Sequence, residues 1–167
     1  MRSGQKQSSL LKRGYTFDAF MLNQMIISGR SLLSTDARAM VHFIVVQNKK
    51  SLQRLEKIHG FSSKENGEAA AAILILADIE EDEFWIENAA IAAAGIQMTA
   101  ERFGINHCRV QMRNRQDENG NDLAEQLQDM MQFPSKVEPV SMMFLFNACD
   151  QHTTIMSRLN KIHYEKW

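Results

Sequence analysis

The stretch that decides the fold is "FWIENAAIAAAGIQMTAERFG", residues 84–104. It reads as a helix whose surface is small almost all round: Ala89, Ala90, Ala92, Ala93, Ala94, Gly95 and Ala100 take the place of bulky side chains. Neighbouring backbones can then approach toward the short end of the usual interhelical range of about 8–10 Å. Between Ile86 and Met98 only Glu87, Asn88 and Gln97 are polar, too few for a solvated face. The expectation is a central helix, with a sheet covering one side and a second layer or a second subunit covering the other. Asn88 and Gln97 need partners there, because an unbonded buried amide costs about 1–3 kcal/mol. Neighbouring backbone, water or the polar edge of a ligand can each supply them. Gly104 is placed to close the helix as its C′ residue.

Upstream, "AAAAILILAD" (69–78) is an uninterrupted apolar run before the acidic Glu80, Glu81, Asp82 and Glu83. By propensity it could be helix, but Ile73 to Leu76 followed by Asp78, and the acids that suit a following helix start, make strand the better reading. "VHFIVVQNKK" (41–50) has the β-branched density of a second strand running into a turn, and Ser51 opens a short helix to His59. "GFSSKENG" (60–67) is an exposed connection, and "STDARAM" (34–40) reads as loop.

Downstream, "INHCRVQMR" (105–113) alternates as a third strand and "NRQDENGND" (114–122) is a polar loop. A helix follows from Leu123 to Gln132, stopped before Pro134, and "VEPVSMMFLFNAC" (137–149) is the last strand. Residues 8–31 read as two N-terminal helical pieces with a break at Gly14 to Thr16, and 150–167 as a C-terminal extension. The chain of 167 residues is expected to form a single domain, 1–167.

Nineteen Lys and Arg against twenty Asp and Glu leave a formal charge of −1, which supplies no field for nucleic acid or a membrane surface. Cys108 and Cys149 lack metal or redox spacing and read as two reduced thiols of a cytoplasmic protein. No apolar run reaches the roughly 20 residues of a membrane span, and no leader pattern is present.

Taken together, "FWIENAAIAAAGIQMTAERFGINHCRVQMRNR" (84–115) resembles the FMN-dependent nitroreductase family, whose short members run "WIEDASIA…IQLAAE.LGLGSCWVQIRNR" from central helix into strand. "VHFIVVQNKKSLQRL" resembles the family's "PWHFIVVQDKESLQRL", "AAAILILADIEEDEFWIE" its "AIVVLADP…WIED", and the terminal "NKIHYEKW" its "KVHYEKW". The resemblance implies an α+β, nitroreductase-like fold: a mixed central sheet with helices on both faces, three layers deep, in an intertwined homodimer with flavin at the subunit seam. It further implies FMN as cofactor and NAD(P)H as electron donor, with hydride passing through the flavin to a nitroaromatic, quinone or similar acceptor.

Carried over position by position, the resemblance makes Arg13 in "LKRGYTF" a phosphate ligand, joined by Lys161 and His163 of the tail. Arginine suits the task because its fork donates paired charge-assisted bonds to phosphate oxygens. Thr16 or Phe17 stands where the family has a second cation. Of the family's "SPTSRNRQPWHF" loop, Ser34, Thr35 and Arg38 remain. Asn88 falls where an amide or acid borders the flavin ring, Gln111 and Met112 match the stretch beneath it, and Asn106, His107 and Arg109 replace the family's glycine, serine and tryptophan. Arg109 therefore joins the cofactor-binding set, while no residue is assigned as catalytic. His107 is weighed as a proton donor against a structural histidine, and His42 as packing. No Ser/His/Asp order and no metal-ligand spacing supports a hydrolase or a metal site. The competing reading is a diverged dimer of the same fold with weak or no FMN binding, acting as a small-ligand-binding or regulatory protein.

Overall fold

The computed structural model describes residues 17–59, 68–81 and 83–146. In chain order the elements are α1 (Ala19–Ser31), α2 (Ala37–Met40), β1 (Val41–Val46), α3 (Lys49–His59), β2 (Ala69–Asp78), α4 (Trp85–Arg102), β3 (Asn106–Gln111), α5 (Leu123–Met131) and β4 (Val137–Phe146). The expected N-terminal piece before Phe17, the 60–67 connection and the 150–167 extension lie outside the described residues.

The four strands form one sheet in the order β1-β2-β4-β3. β2 and β4, the two central strands, are ten residues each and nearly all buried, as an apolar run covered on both faces requires. Alternation along β2 divides the core. Ala71, Ile73, Ile75 and Ala77 face α1 and α4, whereas Ala72, Leu74 and Leu76 face α3 and α5. The three layers and the α+β class thus follow from a single strand with two apolar faces. Every described pairing is antiparallel, so the parallel component expected of a mixed sheet is not among these strands. β2 and β3 run the same way on either side of β4, because α4 carries the chain back along the sheet between them.

α4 packs on α1 through the smallest contact a helix pair can make. A Cβ added to Gly95 would lie 2.8 Å from the Gly29 Cα, and one added to Gly29 would lie 2.6 Å from the Ala92 carbonyl oxygen. The two glycines are therefore required by space, since no turn of either helix needs them for dihedral freedom. Much of the alanine is accounted for here, within one chain: Ala89, Ala92, Ala93, Ile96 and Ala100 are buried between α1 and the sheet. Glu87, Ala90, Ile91, Ala94 and Met98 remain on the outer side, with Ile91 42% and Met98 67% exposed. The helix is central to its layer, and its outer stripe is open.

Gly104 has φ +67 and closes α4 in a Schellman arrangement, its N–H bonding to the Glu101 carbonyl and that of Ile105 to the Ala100 carbonyl. Two boundaries differ from the sequence reading. α3 begins at Lys49 because the Asn48 side chain accepts from the N–H groups of Lys50 and Ser51 and acts as the cap expected of Ser51. The 34–40 segment contains the short helix α2, entered through a bond from the Ala37 N–H to Ser34 Oγ.

Candidate functional site

Several of the described candidate residues lie toward one end of the sheet. Register places the start of β1 beside the end of β2 (Val41 opposite Ala77) and the end of β3 beside the middle of β4 (Gln111 opposite Ser141). α4 begins at this end. α1 runs antiparallel to it, with Gly29 against Ala92 and Ile96, and so delivers Ser34, Thr35 and Arg38 to the same region. The Arg113 guanidinium lies 5.5 Å over the Trp85 ring, one turn before Asn88, and ties the end of β3 to the start of α4. Such cation–π contacts stabilise by about 0.5–1 kcal/mol when exposed.

On β3, Arg109 and Gln111 share the face of Met143 and Ser141, which is the α4 face, and both are exposed. Asn88 is half-buried on the first turns of α4. Gln111 and Asn88 thus offer amide groups from a strand and a helix that meet at one edge, and amides can serve both the donors and the acceptors of a polar ring. Ser141 Oγ, fully buried on β4 in register with Gln111, has no hydrogen-bond partner.

Other candidates have structural work. The Arg38 Nε donates to the Arg30 carbonyl at 3.0 Å and its Nη2 to the Ser31 carbonyl at 3.4 Å, so the guanidinium caps the C-terminus of α1. Ser34 Oγ is occupied by the Ala37 N–H. Thr35 is exposed beside it. Met112 is wholly buried on the opposite side of the sheet, among the residues that face α3 and α5, and its N–H donates to the Val140 carbonyl. Its side chain belongs to that core and not to a site above β3; alternation after Gln111 turns it through the sheet. Of the two residues, Thr16 or Phe17, matched to the family's second cation, Phe17 is buried in the core between α1 and the sheet, and Thr16 lies outside the described residues. Arg13, Lys161 and His163 lie outside the described residues.

His107 is at the other end of α4. Its Nδ1 lies 3.1 Å from the Ile105 carbonyl oxygen and its Nε2 3.7 Å from Glu101 Oε1, while Gln97 Nε2 donates to that same carboxylate. Its contacts are those of a structural histidine joining α4 to β3. Gln97 thereby finds the partner its amide needs. His42, expected to pack, is exposed. Cys108 is half-buried and free, and burial pushes its thiol above the ordinary range. Among the described residues no group of His, Cys, Asp and Glu is arranged to hold a metal.

Trp85 and Arg113 were not picked out from sequence, although Arg113 stands two residues beyond Gln111, the spacing that repeats a strand face. They border a cavity of about 350 Å³ that also contains Glu138. Burial, and then the charge of Asp122, push the Glu138 carboxyl above its usual range while Arg113 opposes them.

No family model matches the chain. A curated protein of Methanothermobacter thermautotrophicus, provisionally named NADH dehydrogenase/NAD(P)H nitroreductase, is 25% identical over 130 residues, which span 75% of this chain and 65% of that relative. An FMN-dependent nitroreductase of Clostridium difficile superimposes with a TM-score of 0.79 at 24% identity, covering 93% of this chain and 92% of its own. A Clostridium acetobutylicum structure provisionally named NADH oxidase gives 0.76 at 18% identity, with 93% of both chains covered. At these identities the structural likeness establishes the fold.

Proposed function

From the nitroreductase fold that this chain adopts, we propose that it is a flavin-dependent oxidoreductase, passing hydride from NAD(P)H through FMN to a nitroaromatic, quinone or similar acceptor, and that it works as a homodimer. The observation that carries this reading is the superposition over nine-tenths of the chain on an FMN-dependent nitroreductase. Amide and guanidinium groups meeting where β3 ends and α4 begins support it.

The residues fit a flavin in part. Asn88, Gln111 and Arg109 would border its polar ring edge, and Trp85 with Arg113 would flank the opening. Arg13, Lys161 and His163 would hold the phosphate, because Arg38 is engaged by α1. Bound FMN would supply the hydride acceptor and donor; the protein's part is to orient the ring, exclude water and tune its charge. The dimer is supported by the open apolar stripe of α4 together with Phe20 and Ile27 on α1, which are 68% and 56% exposed.

Purified protein tests this directly. Oxidised FMN absorbs near ~450 nm, so a holoprotein is yellow. Titration with FMN should quench the flavin fluorescence saturably, and the loaded protein should oxidise NADH or NADPH when menadione or nitrofurazone is present. Arg13→Ala should weaken flavin retention, and Gln111→Ala should do so to a smaller degree. A folded dimer that stays colourless and ignores added FMN would replace this reading with the diverged ligand-binding one.

A further inference from the structure

The side of the sheet that faces α3 and α5 holds a second cavity, which the flavin reading does not use. It measures about 500 Å³, within the ~300–1,000 Å³ of small-molecule sites. Its walls are apolar at Met40, Ile44, Leu76, Phe133 and Val137, and its titratable lining is His42, Asp78, Glu81 and Lys136. Its walls Ile44, Leu76, Phe133 and Val137 belong to the layer opposite α1 and α4, so a partner seated on the open stripe of α4 leaves it accessible.

The charges at the rim do not cancel. Lys136 Nζ lies 2.7 Å from Asp78 Oδ2 and 3.9 Å from Glu81 Oε1, so one ammonium serves two carboxylates. Asp78, whose side chain is only 5% exposed, also accepts from the Glu80 N–H at 3.0 Å and is fully engaged. Glu81 is beyond hydrogen-bond distance of Lys136 and keeps its acceptors for another cation. Apolar walls next to an uncompensated carboxylate suit an apolar ring that carries its own positive charge.

We propose that this cavity is a second ligand site, specific for a small protonated aromatic amine whose ring lies against Met40, Leu76 and Phe133 and whose ammonium meets Glu81. The ring displaces water from the apolar walls, and the ammonium completes the charge that Lys136 leaves unbalanced.

The test uses the full chain labelled at its methionine methyl groups with carbon-13, titrated with tryptamine and with neutral 3-methylindole, before and after saturation with FMN. Tryptamine is expected to move the Met40 methyl saturably, with a dissociation constant of ~1 mM or below, leave Met98 on the outer side of α4 unmoved, and do so whether or not FMN is present. Glu81→Gln should weaken tryptamine roughly two- to fivefold, the value of one exposed ion pair, and leave 3-methylindole unchanged. Ala39→Trp, at an exposed wall position, should abolish both titrations while the Met98 signal stays in place. A Met40 methyl that does not respond overturns the proposal. So does 3-methylindole binding as tightly as tryptamine, or a shift at Met98 in place of Met40. Because Met40 is read with and without flavin, a failure to bind FMN leaves this result standing.

Discussion

The two helical layers solve opposite problems with opposite residues. α3 and α5 hold the sheet with large side chains such as Leu52, Leu55, Leu123 and Leu127, turn polar residues outward, and begin at ordinary side-chain caps, Asn48 and Asp122. α1 and α4 meet through two glycines and a row of alanines, and leave Phe20, Ile27, Ile91 and Met98 on the surface. One layer keeps its large side chains inside; the other leaves large apolar side chains on its outer side. The contrast teaches that small residues in a helix mark close approach to a neighbour, while the exposed stripe beside them is where the proposed homodimer can be tested.

Four changes break or sharpen this contrast. Leu127→Ala, in the layer of large residues, removes a wholly buried side chain of α5 and should cost about 2–5 kcal/mol by urea denaturation. Gly29→Ala, in the layer of small ones, adds a single carbon yet places it 2.6 Å from backbone, and about 1–3 kcal/mol is expected from the forced separation of α1 and α4. If that variant is as stable as the wild type, the glycine crossing is not tight. Met98→Glu lies on the open stripe and should alter unfolding by less than ~0.5 kcal/mol in a monomer; light scattering should instead show the homodimer dissociating. An unchanged dimer after Met98→Glu would place the partner elsewhere. Asp122→Ala should cost about 1 kcal/mol by removing the cap that receives the Ala124 and Glu125 N–H groups.

A pH series adds a further comparison at the Asp78–Lys136 pair. The bond from Lys136, and then that from the Glu80 N–H, hold the Asp78 carboxyl below its ordinary value, and Asp78 holds the Lys136 ammonium above its own. A lowered carboxyl pKa stabilises the fold above the unfolded value of about 3.9, and this contribution is lost as pH falls through the folded value. A raised ammonium pKa contributes fully below about 10.4 and is lost as pH rises through its folded value. Lys136→Met should therefore lie furthest below the wild type in stability between those limits, with the gap closing below pH ~4. A gap independent of pH would remove the pair from the account.

The sheet was legible because its decisive signals are local. Nine apolar residues ahead of Asp78 made β2 a buried strand, and Gly104 announced the end of α4 through turn chemistry alone. What sequence could not show depends on partners far along the chain. Nothing near Gly29 announces that it will meet Gly95, and Arg38 looks available for phosphate until the carbonyls at the end of α1 are found within its reach. Asn88 and Gln111 came from resemblance, and it is strand register that brings their elements to one end. Met112 follows Gln111 in sequence but lies through the sheet from it, a distinction that motif matching does not make and alternation does. Trp85 and Arg113 pair across more than one element, and so escaped a reading made segment by segment.

β2 has one more consequence, for the way the polypeptide is born. It is apolar and uncharged from Ala69 to Ala77, and flanked in the finished sheet by β1 and β4. β1 is already made when β2 leaves the ribosome, but β4 starts only at Val137, and at roughly 5–20 residues per second its arrival takes several seconds. For that interval one rim of an aggregation-prone ribbon is bare, and a nascent-chain chaperone or a slow pause before residue 69 would decide the yield of soluble protein more than any change in final stability.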